Sequence, residues 1–459
     1  LLTTRFPILA HGFAGEHALH LRELTQDESL ALLQQVAPQI SQAQPADVLS
    51  LVQTVGGLPL ALTLLGRYLH VQSLSGPPRR LAQTLRHLCE DMQARLQLEE
   101  PLISWTFTPS YAPGTAMSLR FAIDLSMQHL PAAAQTALAA LAVFPPKPYT
   151  FAEEAALTVG AISTETLDLL VDSGLVEISL QGRYQLHQTI ADYARLQESH
   201  PDPAVEQRFV EFVADFLKAN QQDFSALEQD LHIITAALEL ATSKNMPAAL
   251  LAGTFLLLPF LEHKRLYTLA ETLLTQVQER ALQLEDRQSQ VRAWLWRGSL
   301  AELRGELRQA QQAYLTGLTL ARQLQQRDLL AQMLVKTGGV LIKTAESWPQ
   351  AEAYLIEGLH ELEDLKEGVP YTPRSLIFQL LGQLAGSVGD SEKALAFYRR
   401  GLAMAMENQQ WQIVSAILQN LGVYRSWQGN HAEAASYYQE SFTYAQRTND
   451  LQRQCALLM

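Results

Sequence analysis

The residue best placed to do chemistry stands fifth in the chain. Leu1-Leu2-Thr3-Thr4-Arg5 is short, apolar and β-branched, and Pro7 follows, so it reads as a buried strand that ends in a base. In parallel α/β sheets the side chains at such carboxyl ends are the ones that meet ligands. Other chemical candidates fail on spacing. His11, His17 and His20 match no common zinc pattern and have no cysteine nearby, so they read as a solvated loop. Glu99-Glu100 and Glu153-Glu154 are adjacent pairs; neighbouring helical residues point in different directions, which rules out a shared acid–base role. Nowhere in the 459 residues is there a Gly-x4-Gly-Lys-(Ser/Thr) loop, and no apolar strand ending in paired aspartates precedes Leu1. Phosphoryl transfer needs the lysine, the Mg²⁺-binding hydroxyl and the acid together. This chain alone is therefore expected not to hydrolyse ATP, with no catalytic residue and no metal ligand of its own.

The elements that would position Arg5 and its surroundings are helical. Thr25 and Glu28 form a capping box, with a helix over Ser29 to Val36. A second helix spans about Pro45 to Val55 and stops at Gly56-Gly57, and Pro59 opens a third at its first turn. Further helices are expected at Ala116 to Met127, Ala132 to Leu141, from after Tyr149 to Val159, and Thr164 to Ser173. Two strands from Gly174 and Gly182 then turn at Gln181-Gly182, and a helix runs from Thr189 to Gln197. Three helices and a hairpin make a winged helix. Its recognition helix would carry Glu165, Asp168 and Asp172 without a lysine or arginine, so phosphate contacts to DNA are rejected.

Composition narrows the setting. A net charge of −13 argues against a nucleic-acid surface, and Cys89 and Cys455 alone give neither a disulfide framework nor a thiol metal site, as fits a reducing cytoplasm. The longest apolar stretch, Met246 to Leu261, holds Pro247 and Pro259 and is short for a membrane span; no signal peptide is visible. Opening on Leu1 and closing on Leu457-Leu458-Met459 without a polar capping helix, the chain reads as a fragment of a longer protein.

The C-terminal half repeats itself. Gly298, Gly339, Gly382 and Gly422 are 41, 43 and 40 residues apart, followed in step by Ala310, Ala351, Ala394 and Ala434, then by Tyr314, Leu355, Tyr398 and Tyr438. Gly317, Gly358, Gly401 and Ser441 complete the set, with a second glycine at Gly305, Gly389 and Gly429. Small residues let antiparallel helices approach, the second glycine ends the first helix, and the aromatic is expected to fill the groove to the next unit. A degenerate unit precedes, with Ala270 and Leu274 in register but Leu258 in place of glycine. Trp294, Trp296, Trp411 and Trp427 are expected to serve helix packing. Trp294-x3-Gly298-x6-Gly305-x4-Ala310-x3-Tyr314 resembles the tetratricopeptide repeat, with a period above the usual 34.

The N-terminal half carries a second resemblance. Thr3-Thr4-Arg5, Leu21-x2-Leu24-Thr25-x2-Glu28 and Gly56-Gly57-Leu58-Pro59-Leu60-Ala61, in that order, are similar to the NB-ARC module, the nucleotide switch of STAND-class signalling ATPases. Leu186-His187-Gln188 stands where the family has Met-His-Asp, so the histidine is kept and the acid is replaced. Leu227-Glu228-Gln229-Asp230-Leu231 with Ala236-Ala237-Leu238 resembles a helix of AfsR-like bacterial regulators, in which a tetratricopeptide array also follows.

That resemblance implies a mostly α chain with the end of an α/β nucleotide-binding domain at 1–15, a helical ARC1-like subdomain at 16–100, a winged-helix ARC2-like domain at 101–198, linker helices at 199–245 and an α-solenoid at 246–459. It implies ADP or ATP as cofactor, with Mg²⁺ held by residues outside this chain. Arg5 would meet the γ-phosphate, Pro59 would pack on adenine, and His187 would touch the β-phosphate of ADP. The array would bind a protein or small-molecule ligand and control homo-oligomerisation; neither nucleic acid nor membrane is an expected partner. The rival expectation is a protein-interaction scaffold whose nucleotide site has decayed, favoured by Gln188 and the missing loop.

Overall fold

A computed structural model describes residues 23–42, 44–55, 57–74, 83–90, 115–197, 202–345, 347–363, 374–448 and 450–458. Arg5, the expected remnant at 1–15, the histidines at 11, 17 and 20 and the pair Glu99-Glu100 lie outside these residues. The chain divides into two compact units at Ala249 and Leu250.

In the first unit α1 (Gln26–Val36) starts from the expected box: Thr25 Oγ1 accepts from Glu28 N at 3.4 Å and Glu28 Oε2 accepts from Thr25 N at 2.8 Å. Those hydrogen bonds from Thr25, backbone first, hold the Glu28 carboxyl below its ordinary value. A 3₁₀ turn (Pro38–Gln42) leads to α2 (Pro45–Val55) and α3 (Pro59–Leu74). Gly57 between them has φ of +73°, and Leu24 N donates to its carbonyl at 2.9 Å. A β-carbon there would fall 2.4 Å from Leu24 O, so the corner needs glycine on two counts. α1 packs on α3 through Gly66, where a β-carbon would lie 2.9 Å from Val36 Cγ1.

Next come α4 (Thr115–Gln128), α5 (Ala132–Leu141), α6 (Glu153–Gly160) and α7 (Thr164–Asp172). Strands β1 (Glu177–Ile178) and β2 (Tyr184–Gln185) pair antiparallel, Glu177 opposite Gln185 and Ile178 opposite Tyr184. Gly182 turns the hairpin at φ +74°, and Phe151 bridges to Tyr184. Helix α8 (Gln188–Gln197) follows. The shared core is aromatic: Phe144 stacks on Phe151 with centroids 4.4 Å apart and meets Phe209 edge-on at 5.2 Å. Phe209 belongs to α9 (Pro203–Ala219), followed by α10 (Phe224–Gln229) and α11 (Leu231–Ser243).

The array consists of antiparallel hairpins made from α12 (Pro247–His263), α13 (Tyr267–Gln283), α14 (Arg287–Leu303), α15 (Leu307–Ala321), α16 (Arg327–Thr344), α17 (Trp348–Glu363), α18 (Arg374–Val388), α19 (Ser391–Glu407), α20 (Trp411–Trp427) and α21 (His431–Arg447), then α22 (Leu451–Leu458). The long period has a simple cause. Helices such as α13 and α14 have 17 residues and turns of three, so a hairpin repeats every 40. Most described turns use one left-handed residue, found at Asn245, Arg265, Glu285, Gly305, Ala345, Gly389, Gln409 and Gly429, all with φ between +53° and +90°; the turn at 322–326 has none. In hairpins of this kind the length lies in the helices; the longer step from Gly338 to Gly382 comes with ten residues between α17 and α18.

Two sequence readings of the array are corrected. First, a β-carbon on Gly338 would fall 2.9 Å from Leu355 Cγ, whereas one on Gly339 meets nothing nearer than Leu380 at 3.6 Å. Gly338, not Gly339, is therefore the counterpart of Gly298, Gly382 and Gly422; α16 holds one more residue than α14 between this glycine and its end. Second, the aromatic fills its own hairpin. Added β-carbons at Gly298, Gly382 and Gly422 would lie 2.2, 2.6 and 2.5 Å from Tyr314, Tyr398 and Tyr438 respectively. The later small residue opens the way to the next hairpin: Gly317 faces Met333 and Gly401 faces Ile417. The tryptophans also divide. Trp411 stacks on Tyr444 at 5.5 Å, but Trp427 is 77% exposed and packs in no core. No helix among the described residues is long and apolar enough to cross a membrane.

Candidate functional site

Two regions could bind a ligand, one in each unit. In the first unit Pro59 sits at the first position of α3 with its ring exposed to solvent. His187 lies where the hairpin hands over to α8 and is half-buried. Its Nδ1 accepts from Thr189 N at 3.2 Å, which puts the imidazole proton on Nε2. The ring therefore caps the start of a helix, at the end where the helix dipole favours an anion. Gln188 does not mimic the missing acid: its Nε2 donates to Asp192 Oδ1 at 2.7 Å, within the same helix. Arg5 lies outside the described residues.

A residue unforeseen from sequence ties these segments together. Arg67 of α3 donates through Nη1 to Val171 O and, at 3.4 Å, to Asp172 O, capping the carbonyl end of α7. Gly174, with φ of +79°, makes room for it: a β-carbon would lie 2.9 Å from Arg67 Cδ. On the opposite side of the hairpin Arg183 binds Asp230, both side chains largely buried, and also donates to Thr150 Oγ1 at 3.0 Å. Burial pushes the Asp230 carboxyl up, and Arg183 opposes that shift. Asp230 stands at the N-cap of α11 without capping it, because its carboxylate is turned to Arg183.

In the second unit a polar cluster crosses the first helices of successive hairpins. Glu302 of α14, only 13% exposed, accepts from Tyr314 Oη at 2.5 Å and from Lys343 Nζ at 2.8 Å, with Lys336 Nζ at 3.9 Å. Ser299 Oγ lies 3.3 Å from the same phenol. Burial opposes the charge of Glu302, but Lys336 and the hydrogen bonds from Lys343 and Tyr314 outweigh it and hold this carboxyl below its usual range. Tyr314 is driven far up, first by burial and then by the charge of Glu302. Glu262 of α12 behaves in the opposite sense, since burial raises it and Lys336 offsets that in part. No group of three metal-binding side chains occurs among the described residues. Glutamates 40 apart on equivalent helices were visible in sequence, but the lysines at 336 and 343 fall into step with them only with the corrected register.

No protein-family model matches the chain, and no curated protein matches it. Among solved structures the chain is similar to a signal transduction ATPase with numerous domains and a tetratricopeptide-repeat sensor from Pyrococcus horikoshii, at 14% identity and a TM-score of 0.48, over 95% of this chain and 62% of that one. It thus spans about three fifths of the length of that protein. It is also similar to the apo quorum sensor NprR of B. thuringiensis, at 13% identity and a TM-score of 0.41, over 91% of this chain and 97% of that one. BtubC of P. vanneervenii matches at 18% identity and a TM-score of 0.37, over 52% and 92% respectively.

Proposed function

We propose that this chain is the regulatory half of a STAND-type signalling switch. Its helical and winged-helix segments close over ADP, and its array binds a ligand or partner that releases the closed form and permits homo-oligomerisation. The observation that carries the reading is the placement of His187: its ring, fixed by Thr189 N, stands at the start of α8, where the helix dipole favours an anion such as a β-phosphate. Pro59, exposed at the first turn of α3, offers adenine a rigid apolar face without a competing donor. Arg5 would read the γ-phosphate by its fork of donors. Bound nucleotide supplies the phosphate that separates the two states, with Mg²⁺ held elsewhere in the intact protein. Arg67 supports a closed form, since it fixes α3, which carries Pro59, to the motif that ends at His187.

The test is the nucleotide content of the intact protein after denaturation, read by chromatography. One ADP per chain, lost on His187→Ala, fits the switch. Arg5→Glu should reduce the preference between ATP and ADP, and unchanged affinities would remove Arg5 from the site. The second reading, a repeat scaffold without nucleotide, is favoured by one observation: Gln188 is neutral and committed to Asp192. A chain that carries no ADP in either variant would establish that reading instead.

A further inference from the structure

Among the described residues of the array the Glu262 carboxylate makes no hydrogen bond or ion pair of its own, with Lys336 only near enough to offset part of its shift, and the next hairpin shows what closer partners look like. Glu262 stands four residues beyond Leu258, as Glu302 stands four beyond Gly298, so the two hold the same position on equivalent helices. Glu302 receives a phenol from Tyr314 and ammonium groups from Lys343 and Lys336. Shift each partner back by one hairpin and the phenol and the two ammonium groups are replaced by apolar side chains and an indole, so that, among the described residues, only the charge of Lys336 reaches Glu262. Tyr314 becomes Leu274, which is buried; Lys336 becomes Trp296, which is half-buried; Lys343, five residues past Gly338, becomes Leu303, which is 47% exposed. Among the described residues the Glu262 carboxylate has no hydrogen bond and no ion pair within 4.0 Å. Burial accordingly raises its proton affinity.

We infer that Glu262 is the recognition point for an organic cation, a guanidinium or ammonium group carried by the ligand of the array, with Trp296 and Leu303 receiving its face and its aliphatic stem. Half-buried carboxylates are costly when unpaired and bind a matching cation strongly, because little water must be removed on binding. By repeat equivalence Trp296 takes the place that Lys336 has toward Glu302, and an indole there would add a cation–π surface. Glu302 cannot serve as the acceptor, since its oxygens are already taken by residues of this chain. The inference rests on the reading of the array as the sensing part, yet the two fail separately: cation binding is read on the array, ADP retention on the nucleotide segment.

The experiment titrates the full chain with Nα-acetyl-arginine amide and with its neutral counterpart Nα-acetyl-citrulline amide, followed by tryptophan fluorescence and NMR line shifts. Saturable binding of the arginine probe is expected, at least tenfold weaker for the citrulline probe and for Glu262→Gln. Leu303→Lys should also weaken binding tenfold or more, because it supplies the internal ammonium that Lys343 gives to Glu302. Trp296→Ala should weaken it severalfold. Equal binding by wild type and Glu262→Gln, or no saturable binding of the arginine probe by wild type, overturns the assignment. Glu262→Gln keeps shape and size, so the test stands even if Leu303→Lys fails to fold.

Discussion

Alanine at Gly338 and at Gly339 should have opposite effects, although the two positions are adjacent and share a helix. In a helix interior, glycine to alanine gains about 0.5–1 kcal/mol from backbone entropy when the methyl group has room. At Gly339 it has room, since the nearest atom is Leu380 Cδ1 at 3.6 Å, an ordinary contact. At Gly338 the methyl carbon would lie 2.9 Å from Leu355 Cγ, 3.0 Å from its Cδ2 and 3.2 Å from the backbone carbonyl of Ala351. Leu355 is fully buried between α16 and α17 and cannot swing away, and the Ala351 carbonyl is fixed in its helix. Overpacking of this kind costs about 1–3 kcal/mol, which exceeds the helical gain. Gly338→Ala should therefore lose about 1–2 kcal/mol and Gly339→Ala gain up to about 1 kcal/mol. In a unit the size of the array each kcal/mol is worth about 2–4 °C. Thermal melts followed by circular dichroism would show the split, and hydrogen exchange in α16 and α17 would localise it. If Gly339→Ala proved the more damaging variant, the hairpin register would be wrong, and the correspondence of Lys336 and Lys343 with Trp296 and Leu303 would fall with it.

Four further outcomes follow from the same geometry. Gly57→Ala combines a left-handed backbone with a β-carbon 2.4 Å from Leu24 O, and should cost the first unit about 2 kcal/mol or more by chemical denaturation. Glu302→Gln should destabilise the array by about 1–3 kcal/mol at neutral pH, because Tyr314 and Lys343 lose a charged acceptor. Since folding lowers the proton affinity of Glu302, its contribution is complete above the unfolded carboxylate range and disappears as pH falls through the folded value; melts of wild type and variant should converge in acid. Glu262 has the reverse sign: its folded proton affinity is raised, so its favourable share exists at low pH and is lost as pH rises, and Glu262→Gln should melt no lower than wild type at pH 8. Arg67→Ala should speed hydrogen exchange at residues 171–176 while leaving the array unchanged, because it uncaps α7 within the first unit alone.

Much of the fold was legible because local chemistry decided it. The Thr25–Glu28 box, the corner at Gly57 and Pro59 and the turn at Gly182 each depend on residues within a few positions of one another, and all three form as read. The array was legible as a repeat for the same reason, since small residues at fixed steps must face a neighbouring helix. What sequence could not decide was which of two adjacent glycines faces inward: Gly338 and Gly339 are chemically identical, and only the packing of Leu355 distinguishes them. The long-range ties were equally hidden. Arg67 is an ordinary surface base until the chain brings it to the carbonyl end of α7, and Arg183 and Asp230 are ordinary charges until they meet. Trp427 shows the converse failure, because an indole at a helix end reads as core and is found in solvent. Of the nucleotide residues, Pro59 and His187 could be given a setting, whereas Arg5 lies beyond the described residues.

The most direct test of the switch is the rate at which a fluorescent ADP leaves the intact protein, compared between wild type and His187→Ala. If His187 Nε2–H holds the β-phosphate, the variant should release ADP at least tenfold faster while the melting of the array is unchanged. Equal release rates, or no bound ADP to release, would contradict the account and leave a helical repeat scaffold in its place.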